Sequence, residues 1–133
     1  MHKLALSLFL TLTIVACGSG PADDPVQVEI ISLDHSPIRP AVQKAKDVAA
    51  EFGDKVAVQN YHFDTPAGDA FAEEHDLTEH TPIAIFVNDE MEFDVDGRSI
   101  KFYSFPQGEG TDMVDEGVWT MADLRAVLER ATN

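Results

Sequence analysis

The stretch SLDHSPIRPAVQKA, residues 32–45, contains the end of one predicted strand and the start of one predicted helix. VQVEIISL, residues 26–33, is rich in β-branched residues and predicts the strand. Ser36 followed by Pro37 is typical of a helix N-cap with proline at the first helical position. The helix is predicted over residues 37–52, since apolar residues recur there at helical spacing. These are Ile38, Ala41, Val42, Ala45, Val48 and Phe52.

The next segments repeat this alternation of strand and helix. KVAVQNYHF, residues 55–63, predicts a second strand. TPAGDAFAEEHDL, residues 65–77, predicts a second helix that again starts with a capping residue, Thr65, and a proline. TPIAIFV, residues 81–87, contains a run of apolar residues that is typical of a strand buried on both faces.

The C-terminal part predicts a hairpin, a loop and a final helix. Asp96-Gly97 between MEFDV and SIKFYSF is a strong hairpin signal. Residues 106–117 predict a loop, and Trp119 beside it is a candidate for a contact surface. Thr120 and Asp123 predict a capping box. Residues expected to pack inside are Phe102, Tyr103 and Phe105 before the loop, and Leu124, Val127, Leu128 and Ala131 in the helix.

This order of elements resembles the thioredoxin fold over residues 26–131. Alternating early units imply a parallel pair of strands with a right-handed crossover, and the late hairpin adds antiparallel strands. The resemblance implies an α/β fold with one central mixed sheet, parallel in its N-terminal β-α-β part, antiparallel at its C-terminal hairpin, and flanked by helices. We expect this domain to occupy residues 26–133.

Two local segments carry the resemblance. Ser36-Pro37-Ile38-Arg39 occupies the place of the family's Cys-Pro-x-Cys motif, and HTPIAIFV resembles the family's cis-proline segment. The resemblance makes Pro82 the candidate cis-proline and Thr81 its predecessor. It therefore implies a relic active site. Its residues are His35, Ser36, Pro37, Arg39, Thr81 and Pro82.

The chain departs from the family at its reactive positions. In active members a helix N-terminus stabilises a cysteine thiolate, whereas the hydroxyl of Ser36 is too weak an acid to ionise there. Arg39 stands in place of the second cysteine. The resemblance still implies peptide binding, in which the backbone of Thr81 pairs with an extended segment of an envelope protein or peptide. No thiol is needed for that pairing.

The N-terminus predicts an exported, lipid-anchored protein. Residues 1–16 combine Lys3 with a short apolar run, as in a signal peptide, and IVAC resembles the lipobox of bacterial lipoproteins. The resemblance implies that Cys17, the single cysteine, is acylated, with residues 17–25 as the tether. The domain would then lie at the periplasmic face of the cell envelope, without a free thiol. Gly18 favours the outer membrane in a Gram-negative cell.

The charge of the chain excludes some partners. Its 24 acidic and 9 basic residues give a net charge of −15. This field repels nucleic acid and anionic lipid headgroups, so the expected membrane contact is the N-terminal lipid alone.

Two other functions can be weighed against a binding module. Asp34, His35 and Ser36 are consecutive, but a catalytic triad is assembled from distant segments. His75 and His80 are five residues apart, which matches no strong zinc motif. EFDVDG, residues 92–97, imitates a calcium loop but has Tyr103 where a bidentate glutamate is needed. We therefore predict no metal, no cofactor and no catalytic residue. The alternative is an envelope metal-handling protein or non-thiol enzyme that uses His35 and the other histidines.

Overall fold

The computed structural model describes residues 24–110 and 115–133. The predicted signal peptide, the lipidation at Cys17 and most of the predicted tether therefore lie outside the described residues. So do residues 111–114 of the predicted loop.

The strands and helices follow the predicted order. They are β1 Val26–Ser32, α1 Arg39–Ala50, a 3₁₀ turn Gly53–Lys55, β2 Val56–His62, α2 Pro66–Glu74, β3 Ile83–Val87, β4 Glu92–Val95, β5 Arg98–Lys101 and α3 Met121–Ala131. Within residues 24–110 and 115–133, the helices are all too short or too polar to cross a membrane.

The main sheet is mixed and has the strand order β2-β1-β3. β1 runs parallel to β2, with Val28 beside Val58, and antiparallel to β3, with Ile30 beside Ile85. The parallel pair is joined through α1, as the alternation of elements predicts. The predicted mixed α/β class is confirmed.

The hairpin differs from the prediction of a single central sheet. β4 and β5 form a two-stranded antiparallel sheet of their own around Asp96-Gly97. Beyond β5 the chain returns to β3, where the N–H of Ile85 donates to the carbonyl of Phe102 at 3.0 Å. The backbone of Ser104 then turns to a positive φ of 66°, which ends the extended conformation after a single isolated bridge at Tyr103. The sheet is therefore not extended by a full strand here.

Hydrophobic residues on the two faces of the main sheet form two clusters. The larger cluster packs α1 and α3 against one face, and includes Ile30, Phe102 and Trp119. The smaller one packs α2 against the other face, around Ile31, Phe71 and Phe86. Phe102 and Phe105 are fully buried and Tyr103 is half-buried, so the predicted packing of these aromatic residues is confirmed.

The helix starts agree with the sequence at α2 and α3 but not at α1. Thr65 caps α2 by accepting the N–H of Gly68 at 3.1 Å. Thr120 and Asp123 form the predicted capping box of α3. The prediction that Ser36 caps α1 is wrong, because α1 begins at Arg39 and Ile38 occupies the cap position without a side-chain bond.

The C-terminal end of α3 also departs from the prediction. Leu124, Val127 and Leu128 are buried as expected. The prediction that Ala131 faces inward is wrong, since Ala131 is exposed in the last turn of α3.

Candidate functional site

Residues 34–39 form the turn that leads into α1, and all of them except Ile38 are exposed. The carbonyl oxygen of His35 accepts the N–H groups of Ile38 at 3.0 Å and Arg39 at 3.1 Å, so the backbone itself satisfies the first donors of the helix. This is the physical reason that Ser36 is not needed as a cap. Ser36, His35 and Pro37 are exposed to solvent. We call residues 34–39 the α1 turn.

An ion pair across the α1 turn involves Arg39, the residue at the place of the second cysteine. Its Nε lies 2.7 Å from Oδ1 of Asp34, and both side chains are strongly exposed, at 65% and 47%. The hydrogen bond from Arg39, and then its charge, lower the pKa of Asp34 and raise the pKa of Arg39. Because solvent screens both groups, the pair orders the turn only weakly.

Thr81 and Pro82 lie at the start of β3 and are buried. The prediction that Pro82 follows a cis peptide bond is wrong, since the described residues contain only trans bonds. The chain enters β3 with the carbonyl of Pro82 accepting the N–H of Leu33 at 3.3 Å, which continues the pairing of β1 with β3. The trans form preferred by most X–Pro bonds fits this pairing.

The polar groups of Thr81 have partners inside the chain. Its N–H donates to the carbonyl of Thr78 at 2.9 Å, and its hydroxyl lies 3.2 Å from the hydroxyl of Tyr103. Thr81 is fully buried. An extended peptide can therefore not take the N–H of Thr81 without displacing an internal hydrogen bond.

Pro82 lines an open groove of about 570 Å³ that the sequence did not predict as a site. We call it the Tyr103 groove. The residues along it come from β3, the return after β5 and the segment before α3. They are His80, Pro82, Lys101, Tyr103, Ser104, Asp115, Glu116, Gly117 and Val118.

The Tyr103 groove combines an apolar surface with charged groups of both signs. Val118 is 56% exposed and is one of two large hydrophobic residues that the described part of the chain leaves open to solvent. Lys101 lies with its Nζ 5.7 Å from the centroid of the Tyr103 ring, and Asp115 is exposed beside Val118. A surface of this kind suits an extended segment with an apolar side chain and polar neighbours.

The wall of the groove that carries Val118 is held by buried contacts. The indole N–H of Trp119 donates to the carbonyl of Ser104 at 3.2 Å, and Trp119 is fully buried. The prediction of Trp119 as a contact residue is therefore wrong. Because neighbouring side chains of an extended segment alternate, the burial of Trp119 leaves Val118 facing solvent.

Backbone contacts bring the same wall close to Tyr103. The N–H of Gly117 donates to the carbonyl of Phe105 at 2.6 Å. A Cβ at Gly117 would lie 2.1 Å from the carbonyl oxygen of Tyr103, so only glycine fits at this approach. The carboxylate of Glu116 accepts the N–H groups of Gly108 and Gly110 and orders the loop beside it.

The predicted site residues do not line one common surface. His35 lines a smaller hollow of about 320 Å³, with Leu33, Phe63, Asp64, Glu79 and His80. This hollow and the Tyr103 groove share His80, and Pro82 belongs to the groove alone. Ser36, Pro37, Arg39 and Thr81 line neither, so the structure does not bring the relic site together as one cleft.

The histidines weighed as metal ligands lie in different surroundings. His75 is half-buried between the rings of Phe71 and Phe86, each at 4.3 Å, whereas His80 is exposed. Nε2 of His62 lies 3.0 Å from Nδ2 of Asn60. Across residues 24–110 and 115–133, no three His, Cys, Asp or Glu side chains are placed to share a metal ion.

Comparison with protein-family models, with curated proteins and with solved structures finds no match to this chain.

Proposed function

We propose that the chain is a lipid-anchored protein of the bacterial cell envelope whose thiol-free, thioredoxin-like domain binds an extended segment of a protein partner. The proposal rests on the Tyr103 groove, which is lined both by Pro82 at the start of β3 and by the exposed apolar side chain of Val118. The partner is a protein or peptide, and the proposal requires no cofactor or catalytic step.

The pairing of the strands supports the thioredoxin-like fold in this proposal. A parallel β1–β2 pair joined by α1, with β3 antiparallel to β1, follows the strand arrangement that the resemblance implies. A helix follows β1 as expected, although it begins at Arg39 and not at Pro37. Ser36 and Arg39 offer no thiolate for thiol–disulfide exchange, whereas peptide binding requires none.

The chemistry of the groove defines the partner segment. Pro82, Tyr103 and Val118 provide apolar contact area, while Lys101 and Asp115 supply opposite charges at its margin. A segment with one aliphatic or aromatic side chain between polar residues would bury Val118 and keep its own polar groups in water. The rigid wall formed by Gly117 and Trp119 keeps the groove ordered before binding, which lowers the entropic cost of association.

The anchor is tested by labelling with a fatty acid in cells. We expect label on the full chain, and we expect Cys17→Ser to give an unlabelled precursor that retains residues 1–16. Label that persists in Cys17→Ser would contradict the lipid anchor. That result would not bear on the proposed binding groove, which has a separate test.

The groove is tested with a charged substitution and a matched control. Val118→Asp places a carboxylate on the apolar surface, whereas Ala122→Asp adds the same charge at an exposed position of α3. We measure binding of the full chain to a panel of extended peptides that carry a single apolar residue. We expect Val118→Asp to weaken binding at least tenfold and Ala122→Asp to leave it unchanged. Equal effects of the two variants would place the binding surface elsewhere.

A further inference from the structure

The outer edge of β2 carries backbone groups that the main sheet does not use. In the described part of the chain, β2 pairs with β1 alone. The N–H of Phe63, directly after β2, donates to the carbonyl of Ser32 on β1 at 3.2 Å. Because successive residues of a strand present their N–H and C=O groups to opposite sides, the odd-numbered residues of β2 face β1 and the even-numbered residues face outward.

Two of the outward groups are already bonded within the chain. The N–H of Val56 donates to the carbonyl of Gly53, and the carbonyl of His62 accepts from the N–H of Thr65 at 3.1 Å. Within residues 24–110 and 115–133, the outward groups left for another strand are the carbonyl of Val56, both groups of Val58 and Asn60, and the N–H of His62. The side chain of Gln59 reaches the carbonyl of Asn60 at 3.4 Å, a long contact that an exposed side chain gives up easily.

The outward N–H and C=O groups of β2 can form hydrogen bonds with the same groups of β2 in a second copy. We infer that β2 pairs antiparallel with β2 of a second copy of this chain, around a two-fold axis at Gln59. In that register the N–H of Val58 meets the carbonyl of Asn60 in the second copy, and the N–H of Asn60 meets the carbonyl of Val58. The N–H of His62 meets the carbonyl of Val56. The symmetry repeats each bond, as in an isologous interface.

The two groups bonded within the chain also agree with this register. Across the interface, the N–H of Val56 in one copy lies opposite the carbonyl of His62 in the other copy. Both groups are already hydrogen-bonded within their own chains, so neither of them leaves the other unsatisfied. If the register shifted by two residues, the N–H of Val56 or the carbonyl of His62 would lie opposite a backbone group that still needs a hydrogen bond. The pairing joins the two three-stranded sheets into one continuous sheet, with each β3 at an outer edge.

The composition of β2 supports its use as a pairing edge. Free edges of sheets are usually protected by charged residues, proline or bulges. VAVQNYH contains no charged residue and no proline, in a chain of which 25% is charged. β4 and β5, in contrast, carry Glu92, Asp94, Arg98 and Lys101. Val58, near the middle of the β2 edge, is 40% exposed.

The net charge of the chain opposes the pairing of two copies. Each copy carries −15, and added salt screens that repulsion while leaving the backbone hydrogen bonds in place. We therefore expect the fraction of dimer to rise when NaCl is increased from 20 mM to 500 mM. This direction distinguishes edge pairing from an association driven by opposite charges, which salt weakens.

The proposal is tested by crosslinking the full chain in membranes of expressing cells. Gln59→Cys places two thiols across the two-fold axis, where directly opposed residues without mutual hydrogen bonds have Cα atoms about 4.5 Å apart, close enough for a disulfide. We expect mild oxidation to give a covalent dimer. Gln43→Cys, at an exposed glutamine of α1, and the parent chain are the controls; the parent reports any crosslinking through Cys17. No more dimer from Gln59→Cys than from these controls overturns the proposal.

A proline variant tests the register. Val58→Pro in the Gln59→Cys chain removes an outward N–H but no bond to β1, so the protein should fold and lose the covalent dimer. Val58→Lys tests the same edge if the proline variant is degraded. A folded Val58→Pro or Val58→Lys protein that still forms the covalent dimer overturns the proposed pairing.

Discussion

The α1 turn and the Tyr103 groove are positioned by different kinds of contact. The α1 turn is held by two backbone hydrogen bonds and by the exposed ion pair between Asp34 and Arg39. The wall of the groove is held by the fully buried Trp119 and by the close approach of Gly117 to Tyr103. A binding surface needs positions that are fixed before the partner arrives, and the groove meets this requirement better than the turn does.

In these two regions the local sequence motif does not show which residues form the open apolar surface. Ser36-Pro37 carries the local signal of a helix start, yet Ser36 is exposed and makes no capping bond. Val118 carries no motif, yet the burial of its neighbour Trp119 places it on an open apolar surface. Substitutions in the two regions should therefore differ in their effects on stability and binding.

The largest expected effect on stability comes from Trp119. Trp119→Ala removes a fully buried indole and should lower the free energy of unfolding by about 3–5 kcal/mol. Val118→Ala, one residue away but exposed, should change it by less than about 0.5 kcal/mol. Urea unfolding of the two variants measures the difference. Similar losses of stability would show that Val118 is part of the core and not a free surface.

The next effect concerns the close approach at Gly117. Gly117→Ala places a methyl group against the carbonyl oxygen of Tyr103 and should cost about 2 kcal/mol, with loss of peptide binding. Gly108→Ala is the control, because Gly108 has open space at the Cβ position and a positive φ of 84°. Its backbone strain should cost about 1 kcal/mol and leave the groove intact. Peptide binding that survives in Gly117→Ala would contradict the assigned shape of the groove.

A smaller effect is expected from the hydrogen bond between Thr81 and Tyr103. Thr81→Val keeps the shape of the side chain and removes the hydroxyl, which should lower stability by about 1 kcal/mol. Tyr103→Phe removes the same bond from the groove side. A double-mutant cycle should show that the two losses are not additive. Fully additive losses would mean that the two hydroxyl groups do not interact.

The smallest effect is expected in the α1 turn. The pKa of Asp34 is lower in the folded chain than in the unfolded chain, so the ion pair stabilises the fold above the unfolded pKa. This contribution is lost as the pH falls through the lowered folded pKa of Asp34. Because both groups are exposed, Arg39→Gln should not measurably change the melting temperature at pH 7. A clear drop in the melting temperature of Arg39→Gln at pH 7 would show that the pair matters more than its exposure implies.

The features that could be predicted from the sequence are those that depend on residues close to one another in the chain. The cap of α2, the capping box of α3 and the Asp96-Gly97 hairpin depend on local chemistry, and the buried strand Ile83–Val87 follows from its continuous apolar run. The parallel pairing of β1 with β2 also followed, because a strand, a helix and a second strand joined by short connections favour a parallel pair. These elements were predicted with bounds within a few residues.

The candidate site was harder to predict because its parts come from distant segments. Pro82, Tyr103 and Val118 meet only after β3, the return from β5 and the segment before α3 have packed together. The sequence gives no sign that the carbonyl of His35 replaces Ser36 as a helix partner, since two arrangements of the same short turn can satisfy the same donors. The entry of the chain into β3 at Pro82 likewise involves pairing with Leu33, far away in the chain.

The most direct test of the binding surface is photocrosslinking from inside the Tyr103 groove and from the α1 turn of the same protein. A photoreactive residue is placed at position 118 in one strain and at position 36 in another, with the full chain expressed in its native cells. We predict a discrete protein adduct from position 118 that is lost in Gly117→Ala, and no such adduct from position 36. A discrete adduct from position 36 with none from position 118 would contradict the account and return the binding surface to the α1 turn.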